Sequence, residues 1–259
     1  MTLTLSLFSL EDKTVLITGG NGGLGRALAF GLRAAGARVA VTGRNPEKNK
    51  AIAQELGDAS IVFSLDVRQE DEVQDTISQI IDHFGQLDVL VNNAGLFRGG
   101  SVLELSREDW DAVISTHLTG SFLCAKHAAK TMVAQGTGGK IINIGSVYSL
   151  FGAPDFADYG SAKSGILGLT RALATELAPH NIQVNSIVPG WYETDLTRGM
   201  PATPLGETIR RKTPAGRWGE PHDLVGTAVF LASAASDFVT GVSIPVDGGY
   251  SIAERFVHD

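Results

Sequence analysis

Short runs of β-branched and other apolar residues alternate along the chain with longer segments in which apolar residues recur every three or four positions. The short runs predict buried strands, and segments such as GRALAFGLRAAG and SGILGLTRALATELA predict amphipathic helices. Seven strands are predicted: TVLIT from position 14, RVAVT from 38, SIVFSL from 60, DVLVN from 88, KIINI from 140, QVNSIV from 183 and VSIPV from 242. Strands buried on both faces and joined by helices indicate an α/β fold, a doubly wound parallel sheet with helices on both faces.

Length and composition favour one domain. The chain has 259 residues, of which 43% are hydrophobic and 19% charged, so it can bury one large core and is too apolar for a disordered protein. No repeat or proline-rich linker divides it, and residues 1–259 are predicted to form a single domain. The one irregular stretch, residues 190–220, is rich in Gly, Pro and Thr. Because long insertions after a strand are usually functional, we predict that it is a substrate lid.

Charge and cysteine content exclude several classes of protein. The net charge of -7 and the lack of a basic arm argue against a nucleic-acid partner. Cys124 is the only cysteine, which excludes an intrachain disulfide and a thiolate metal cluster; no metal site is predicted, and a buried thiol within a helix is expected. The start, MTLTLSLFSLEDK, lacks the marks of a signal peptide and is too short to span a bilayer. We expect a cytoplasmic protein with no membrane partner.

A glycine-rich turn, TGGNGGLG at residues 18–25, follows the first predicted strand and opens a helix. Gly19 permits a sharp turn, while Gly23 and Gly25 let the backbone and the helix approach a pyrophosphate at the helix N-terminus. The alternative is a tight turn that binds nothing. The succession of strand, turn and helix favours the dinucleotide-binding turn of a Rossmann fold.

The run YGSAK places Tyr159 and Lys163 four residues apart near the start of a predicted helix. Residues at this spacing lie on one face, so the phenol and the ammonium are expected to lie close together. Taken alone, such a pair is usually a solvated tyrosine and lysine. Whether this pair is catalytic therefore depends on the other motifs of the chain.

Five motifs occur in the order that is typical of one enzyme family: TGxxxGxG at 18–25, NNAG at 92–95, Ser146 after the fifth strand, YxxxK at 159–163 and PG at 189–190. Ser146 precedes Tyr159 by thirteen residues, the usual interval in that family. In these motifs the chain resembles the short-chain dehydrogenase/reductase (SDR) family over nearly its whole length. The resemblance implies an NAD(P)(H)-dependent oxidoreductase that interconverts a secondary alcohol and a ketone.

The resemblance also implies roles for single residues. Tyr159 would shuttle a proton, and for this its pKa must fall by ~2 to 3 units from the usual value. A cation ~4 to 5 Å away lowers the pKa by about this amount, and here the cation would be Lys163, aided by an oxidised nicotinamide. Ser146 would hold the substrate oxygen. The implied cofactor-binding residues are Gly19, Asn21, Gly23, Leu24, Gly25, Arg44, Asp66, Val67, Asn93, Ala94, Gly95, Tyr159, Lys163, Pro189, Gly190 and Thr194.

One catalytic position departs from the family pattern. Where the family commonly has an asparagine that holds a water of the proton relay, VISTHLTG places His117. In one interpretation the imidazole still supports the water and passes a proton. In the other, His117 is a satisfied buried histidine and the relay is impaired or rearranged.

The end of the second strand favours NADP(H) over NAD(H). An acidic residue there would bind both ribose hydroxyls and repel a 2′-phosphate, but the chain has Gly43 followed by Arg44. The planar guanidinium of arginine suits a phosphate. The alternative is an exposed Arg44 and an enzyme that accepts NAD(H).

Two substrate classes and one non-catalytic function are consistent with the motifs. The run PAGRWGEPHDLVGTAVFLASAASDFVTG resembles sugar-acid (gluconate and deoxygluconate) dehydrogenases, whereas PGWYETDL equally resembles 3-oxoacyl carrier-protein reductases. Thr137 and Thr175 stand where the carrier-protein reductases have docking arginines, so a small free substrate such as a sugar acid or polyol is favoured. The third hypothesis is a catalytically weak dinucleotide-binding regulator. Four lid cations could attract a substrate carboxylate: Arg198, Arg210, Arg211 and Lys212.

Assembly is expected from the resemblance alone. Family members usually pair through two long helices, here within 106–132 and 159–178, and often form tetramers through the last helix and strand. The chain is therefore predicted to be a homotetramer.

Overall fold

The computed structural model describes residues 6–58 and 60–254. Within them, seven strands form one sheet in the order β3-β2-β1-β4-β5-β6-β7, and all neighbouring strands are parallel. The strands are β1 (Thr14–Ile17), β2 (Arg38–Gly43), β3 (Ser60–Ser64), β4 (Val89–Asn92), β5 (Gly139–Ile144), β6 (Ile182–Pro189) and β7 (Ser243–Val246). The predicted doubly wound sheet is confirmed.

Helices cover the sheet on both sides. In the described residues they are α1 (Gly23–Ala34), α2 (Pro46–Leu56), α3 (Glu70–Phe84), α4 (Arg107–Ile114), α5 (Gly120–Gln135), α6 (Ala157–Leu177), α7 (Pro204–Lys212) and α8 (Val225–Ala232). A π-helical segment, Ser115–Thr119, joins α4 to α5. None of these helices has both the length and the apolar character that crossing a membrane requires.

Alternating side chains of each strand divide the core into two layers. Val15 and Ile17 of β1 pack in one cluster with Leu28 of α1, and Leu16 packs on the opposite face against residues of α3 and α5. Cys124 belongs to this second cluster and is buried, as predicted. Burial on both faces explains why the strands read as continuous apolar runs.

The strand order reverses between β1 and β4. The chain moves outward from β1 through β2 to β3, and β4 then pairs with the other side of β1. The carboxyl ends of β1 and β4 therefore border a crevice, which is where open α/β sheets bind ligands. The glycine turn follows β1 and Asn93 follows β4, so both lie at this edge.

The stretch 190–220 is less irregular than predicted, because it contains α7. Thr203 caps this helix by accepting a hydrogen bond from the Gly206 backbone N–H at 3.1 Å. Ile209 of α7 and Trp218 pack with Val147 in a third apolar cluster. The segment is thus anchored next to Ser146, and its role as a lid stays a prediction.

Helices α1 and α8 pack closely at Gly31, and a substitution there tests this contact. A Cβ atom on Gly31 would overlap the Val225 side chain, whereas nothing lies within 4 Å of the Cβ position at Gly226. We expect Gly31→Ala to lower the free energy of unfolding by about 1–3 kcal/mol, and Gly226→Ala to raise it by roughly 0.5 kcal/mol. Urea denaturation of both variants measures this, and equal effects would contradict the close approach of the two helices.

Candidate active site

The glycine turn has the geometry of a dinucleotide cradle. Gly19 has a φ of +62°, and a Cβ there would stand 2.9 Å from the Ala94 Cα. A Cβ on Gly25 would overlap the Asn93 amide and the Gly19 carbonyl. Gly25 therefore lets the first turn of α1 lie directly against the end of β4. The exposed backbone N–H groups of such a helix start fit a pyrophosphate.

Hydrogen bonds fasten the glycine turn to the NNAG motif. The Thr18 Oγ1 accepts from the backbone N–H groups of Asn93 and Ala94, both at 3.0 Å. In return the Asn93 Nδ2 donates to the carbonyls of Thr18 at 2.9 Å and Gly19 at 3.0 Å. The two sides of the crevice are thereby held at a fixed separation. Thr18 was not among the predicted site residues, although its place in TGxxxGxG was a signal for it.

The structure brings together Ser146, Tyr159 and Lys163 of the predicted catalytic set. Ser146 follows β5 and is 7% exposed, and Tyr159 and Lys163 lie on the same face of α6. The Lys163 Nζ donates to the Ile144 carbonyl at 2.7 Å and lies 5.6 Å from the centre of the Tyr159 ring. The Ser146 hydroxyl accepts from the Tyr148 backbone N–H at 3.2 Å. All three side chains meet at the carboxyl edge of the sheet.

Lys163 by itself does not lower the pKa of Tyr159, and the lowering expected from Lys163 together with an oxidised nicotinamide stays a prediction. Burial raises the pKa of the Tyr159 phenol above its usual value, and a hydrogen bond with Ser146 opposes this only in part. Burial also lowers the pKa of Lys163 from 10.5 to about 7. Removal from water disfavours both charged forms, and this outweighs the attraction between them. A lowered phenol pKa therefore requires a further positive charge beside Tyr159.

His117 lies behind the catalytic residues, in the π-helical segment. Its ring stands edge-on to the Tyr159 ring at 5.3 Å between centres, and its Nε2 lies 2.7 Å from the Leu96 carbonyl. Its Nδ1 is buried and has no hydrogen-bond partner among the described residues. Burial, and secondarily the charge of Lys163, lowers the pKa of His117 to about 3, so the ring is neutral at pH 7. His117 is thus buried as one interpretation expected, but only one ring nitrogen is satisfied.

The predicted adenosine-side residues lie at the ends of β2 and β3. Arg44 is half-exposed, and its Nη1 lies 3.9 Å from the Asp66 Oδ2. Arg68 also binds Asp66, and mainly because of this bond the pKa of Asp66 is lowered. Val67 is buried, and a Cβ on Gly120 would overlap its side chain. Arg68 was missed because nothing in its pattern separates it from a solvated arginine.

Other predicted cofactor residues surround the glycine turn. A Cβ on Gly43 would overlap the Asn21 amide, which donates to the Asn49 Oδ1 at 2.6 Å. Leu24 is partly buried against the core layer that contains α1. A Cβ on Gly23 would lie 3.7 Å from the Thr194 Cβ, so Thr194 faces the turn across the crevice.

The end of β6 and the NNAG turn complete the predicted set. Pro189 is the last residue of β6, and a Cβ on Gly190 would stand 2.7 Å from the Asp247 Cβ. A Cβ on Gly95 would overlap the ring of His117. Glycine at these two positions therefore allows close approach of neighbouring segments to the site.

An aromatic wall around Tyr159 was not predicted. It consists of Phe97, Tyr148 and Phe156, whose ring centres lie 5.9, 6.3 and 6.2 Å from that of Tyr159. Trp191 extends it, edge-on to Tyr148 at 5.9 Å. The four residues come from three connections, after β4, between β5 and α6, and after β6, so no regular sequence spacing connects them.

A buried carboxylate fixes the start of α6. Asp158 is fully buried; its Oδ1 accepts from the Tyr159 backbone N–H at 2.7 Å and its Oδ2 from that of Gly99 at 3.2 Å. An acidic residue in the first turn of a helix is favoured by the helix dipole. Asp158 therefore holds the loop that bears Phe97 against the helix that bears Tyr159.

The buried amine of Lys163 is expected to cost the fold stability in a pH-dependent way. Because its folded pKa of about 7 lies below the unfolded value of 10.5, the penalty grows as the pH falls from 10.5 to about 7 and is constant below. We expect Lys163→Met to raise the free energy of unfolding at pH 7 by about 2 kcal/mol, after loss of the bond to the Ile144 carbonyl, with a smaller gain near pH 10. Urea unfolding at both pH values, with exposed Lys50→Met as control, measures this; a gain independent of pH would contradict it.

Comparison with known proteins places this site in a family. A family model described as enoyl-(acyl carrier protein) reductase matches residues 19–251. The 2-dehydro-3-deoxy-D-gluconate 5-dehydrogenase of Escherichia coli (strain K12) is 42% identical over 250 residues, 96% of this chain and 99% of that protein. The 3-oxoacyl-[acyl-carrier-protein] reductase of a Synechocystis species is 39% identical over 246 residues, 93% of this chain and 98% of that protein.

A solved structure agrees closely with the whole chain. The gluconate 5-dehydrogenase from Burkholderia cenocepacia J2315, in complex with NADP and tartrate, has a TM-score of 0.92 at 38% sequence identity and covers 97% of this chain and 100% of its own. The resemblance inferred from the motifs, to sugar-acid dehydrogenases and to carrier-protein reductases, is confirmed. The chain belongs to the short-chain dehydrogenase/reductase family of oxidoreductases.

Proposed function

We propose that the chain is an NADP(H)-dependent oxidoreductase that interconverts a secondary alcohol and a ketone on a small sugar acid or polyol. The observation that carries the proposal is the meeting of Ser146, Tyr159 and Lys163 beside a glycine turn at the switch point of the sheet. Several relatives are named as sugar-acid oxidoreductases, among them the gluconate 5-dehydrogenase of Gluconobacter oxydans (strain 621H).

The roles of the catalytic residues follow from their positions. Bound NADP(H) would supply or accept the hydride. The Ser146 hydroxyl would hold the substrate oxygen, and the Tyr159 phenol would give a proton to that oxygen or take one from it. Lys163, whose pKa burial lowers to about 7, would stabilise the phenolate by hydrogen bonding and, in its protonated fraction, by its charge. A positive nicotinamide ring would then be the charge that lowers the pKa of Tyr159.

The preference for NADP(H) rests on Arg44 and Gly43. The half-exposed Arg44 guanidinium lies at the adenosine side and could bind a 2′-phosphate. Position 43 is a glycine, so the acidic residue that would repel this phosphate is absent there. Two solved relatives contain NADP. The cofactor-binding roles of the other residues around the crevice are proposed on the same geometry.

A small acid is favoured over a carrier-linked substrate. Thr137 and Thr175 are exposed at the positions aligned with docking arginines, and the net charge of -7 disfavours an acidic carrier protein. Of the lid cations, Arg198 and Arg210 bind the lid carboxylates Asp195 and Glu207. Lys212 instead stands over the Tyr250 ring at 4.1 Å.

The alternative functions and the assembly stay predictions. The carrier-protein reductase is kept as an alternative because such an enzyme is also among the relatives. A catalytically weak regulator would require the site to bind dinucleotide without turnover. Exposed apolar side chains on α5, Phe122 and Val133, support pairing in a homotetramer. A cytoplasmic location and residues 190–220 as a substrate lid are likewise proposals.

The proposed activity is tested with purified protein, both nicotinamide nucleotides and a panel of keto sugar acids, polyols and acyl thioesters. We expect NADPH oxidation with a keto sugar acid, and a fall in kcat of roughly 10²–10⁴-fold in Tyr159→Phe with NADPH binding retained. Tyr148→Phe removes the phenol of a partly buried neighbour, keeps the Tyr159 proton donor and serves as the control. Faster turnover of carrier-linked thioesters would favour the alternative, and nucleotide binding with no turnover would favour the regulator.

His117 is proposed to support the proton relay through its unpartnered Nδ1. We expect His117→Leu to lower kcat by roughly tenfold or more with KM nearly unchanged, since it removes a hydrogen-bonding group and not a substrate contact. His117→Asn, which keeps an acceptor and a donor, should recover most of kcat. Steady-state kinetics of both variants, with circular dichroism to confirm folding, decides; a folded Leu variant with the wild-type kcat would leave His117 a packing residue.

A further inference from the structure

A cavity of about 590 Å³ lies between the glycine turn, the start of α2 and the lid. Its wall includes the backbone at Gly22 and Gly23 and the side chains of Lys48, Thr194 and Asp195. The cavity adjoins the crevice, because Gly23 of the glycine turn and Thr194 line it. Charged groups in this wall therefore lie close to any dinucleotide held by the turn.

Lys48 reaches back from α2 to the glycine turn. A Cβ on Gly22 would stand 3.5 Å from the Lys48 Nζ, so the ammonium lies where a side chain at position 22 would point. Lys48 is in the first turn of α2, and its backbone N–H donates to the Asn45 side chain at 2.9 Å. Since only the capping residue Asn45 separates Arg44 from α2, the two cations lie on either side of the turn that follows β2. Doubly wound folds bind the adenosine ribose and its 2′ substituent at this place.

In the protein alone, Lys48 forms an ion pair with a carboxylate of the lid. The Asp195 Oδ2 lies 3.0 Å from the Lys48 Nζ, and the Asp195 Oδ1 accepts a bond from Arg198 at 2.5 Å. Lys48 and Asp195 are 48% and 50% exposed. Exposed ion pairs contribute only ~0–1 kcal/mol, so a more highly charged anion can displace the carboxylate. A phosphate monoester, with a charge of about -1.5 to -2 at pH 7, is such an anion.

We propose that Lys48 is a cofactor-specificity residue that binds the 2′-phosphate of NADP(H) together with Arg44, and that Asp195 is the counter-ion which this phosphate displaces. The inference rests on the proposed NADP(H)-dependent function and adds a second cation to it. It also connects the cofactor to the lid: Asp195, once displaced, stays paired with Arg198, so the bond between α2 and the lid is broken when NADP(H) binds.

The first test compares Lys48→Gln with Lys50→Gln, which removes the same charge from an exposed lysine of the same helix. Dissociation constants for NADPH and NADH are measured by fluorescence titration, and those for 2′,5′-ADP and ADP by competition. We expect Lys48→Gln to weaken NADPH and 2′,5′-ADP about tenfold, or 1.4 kcal/mol, and NADH and ADP less than about twofold. Lys50→Gln should change none of the four. An equal loss for all four ligands would overturn the inference, because a cation at the pyrophosphate serves both nucleotides.

The second test concerns the counter-ion. Asp195→Asn frees Lys48 and should tighten NADPH binding by about threefold, and the same change should be absent in the Lys48→Gln/Asp195→Asn double variant. Glu193→Gln is the matched control, because Glu193 lines the same cavity and no ion pair joins it to Lys48. An equal gain from Glu193→Gln, or a gain that persists in the double variant, would show general repulsion in place of a specific counter-ion.

The failures of the two proposals can be told apart. Wild-type protein that binds NADH as tightly as NADPH would overturn the cofactor preference and, with it, the role of Lys48. A wild-type preference for NADPH that survives unchanged in Lys48→Gln would overturn the role of Lys48 alone and leave Arg44 as its source. Tighter binding of 2′,5′-ADP than ADP that is lost in Lys48→Gln supports the inference without recourse to turnover.

Discussion

The buried hydrogen bond from the Lys163 Nζ to the Ile144 carbonyl, at 2.7 Å, is the interaction on which the arrangement of the site depends. It joins α6 to the last residue of β5, two residues before Ser146. Because a buried amine left unpaired costs several kcal/mol, the helix is held where this bond can form. The same placement brings Tyr159, one turn earlier on α6, to the edge of the sheet beside Ser146. The hydrogen bond that positions α6 on the sheet therefore also positions the candidate catalytic residues.

The same burial determines the charge of the site. Lys163 is 4% exposed and His117 is also 4% exposed, so both bases are shifted toward their neutral forms. A site built in this way carries little positive charge of its own beside the Tyr159 phenol. Proton transfer is then controlled by what binds in the crevice, since an added positive charge acts strongly where water is excluded. The protein itself contributes orientation and desolvation.

Features that repeat along the chain could be predicted from the sequence, whereas features that depend on contacts between distant segments could not. All seven strands were predicted, because burial on both faces leaves unbroken apolar runs. Ser146, Tyr159 and Lys163 were predicted from motifs whose order a strand–helix alternation preserves. Helix α7 was missed, because glycine and proline around it hid a Thr203 cap. The desolvation of Tyr159 was not predicted, since it depends in part on neighbours that are distant in the sequence, such as Phe97.

That aromatic wall also bears on what the site can accept. The rings of Phe97, Tyr148 and Phe156 lie around the Tyr159 ring, while polar and charged groups lie at the glycine turn and in the stretch 190–220. If Tyr159 transfers the proton as proposed, this wall would exclude water from the transfer and pack against C–H groups of a sugar-acid chain. It cannot itself distinguish one hydroxyl pattern from another. Discrimination among acids of similar size would then come from the polar groups of the glycine turn and of the stretch 190–220, which line the neighbouring cavity.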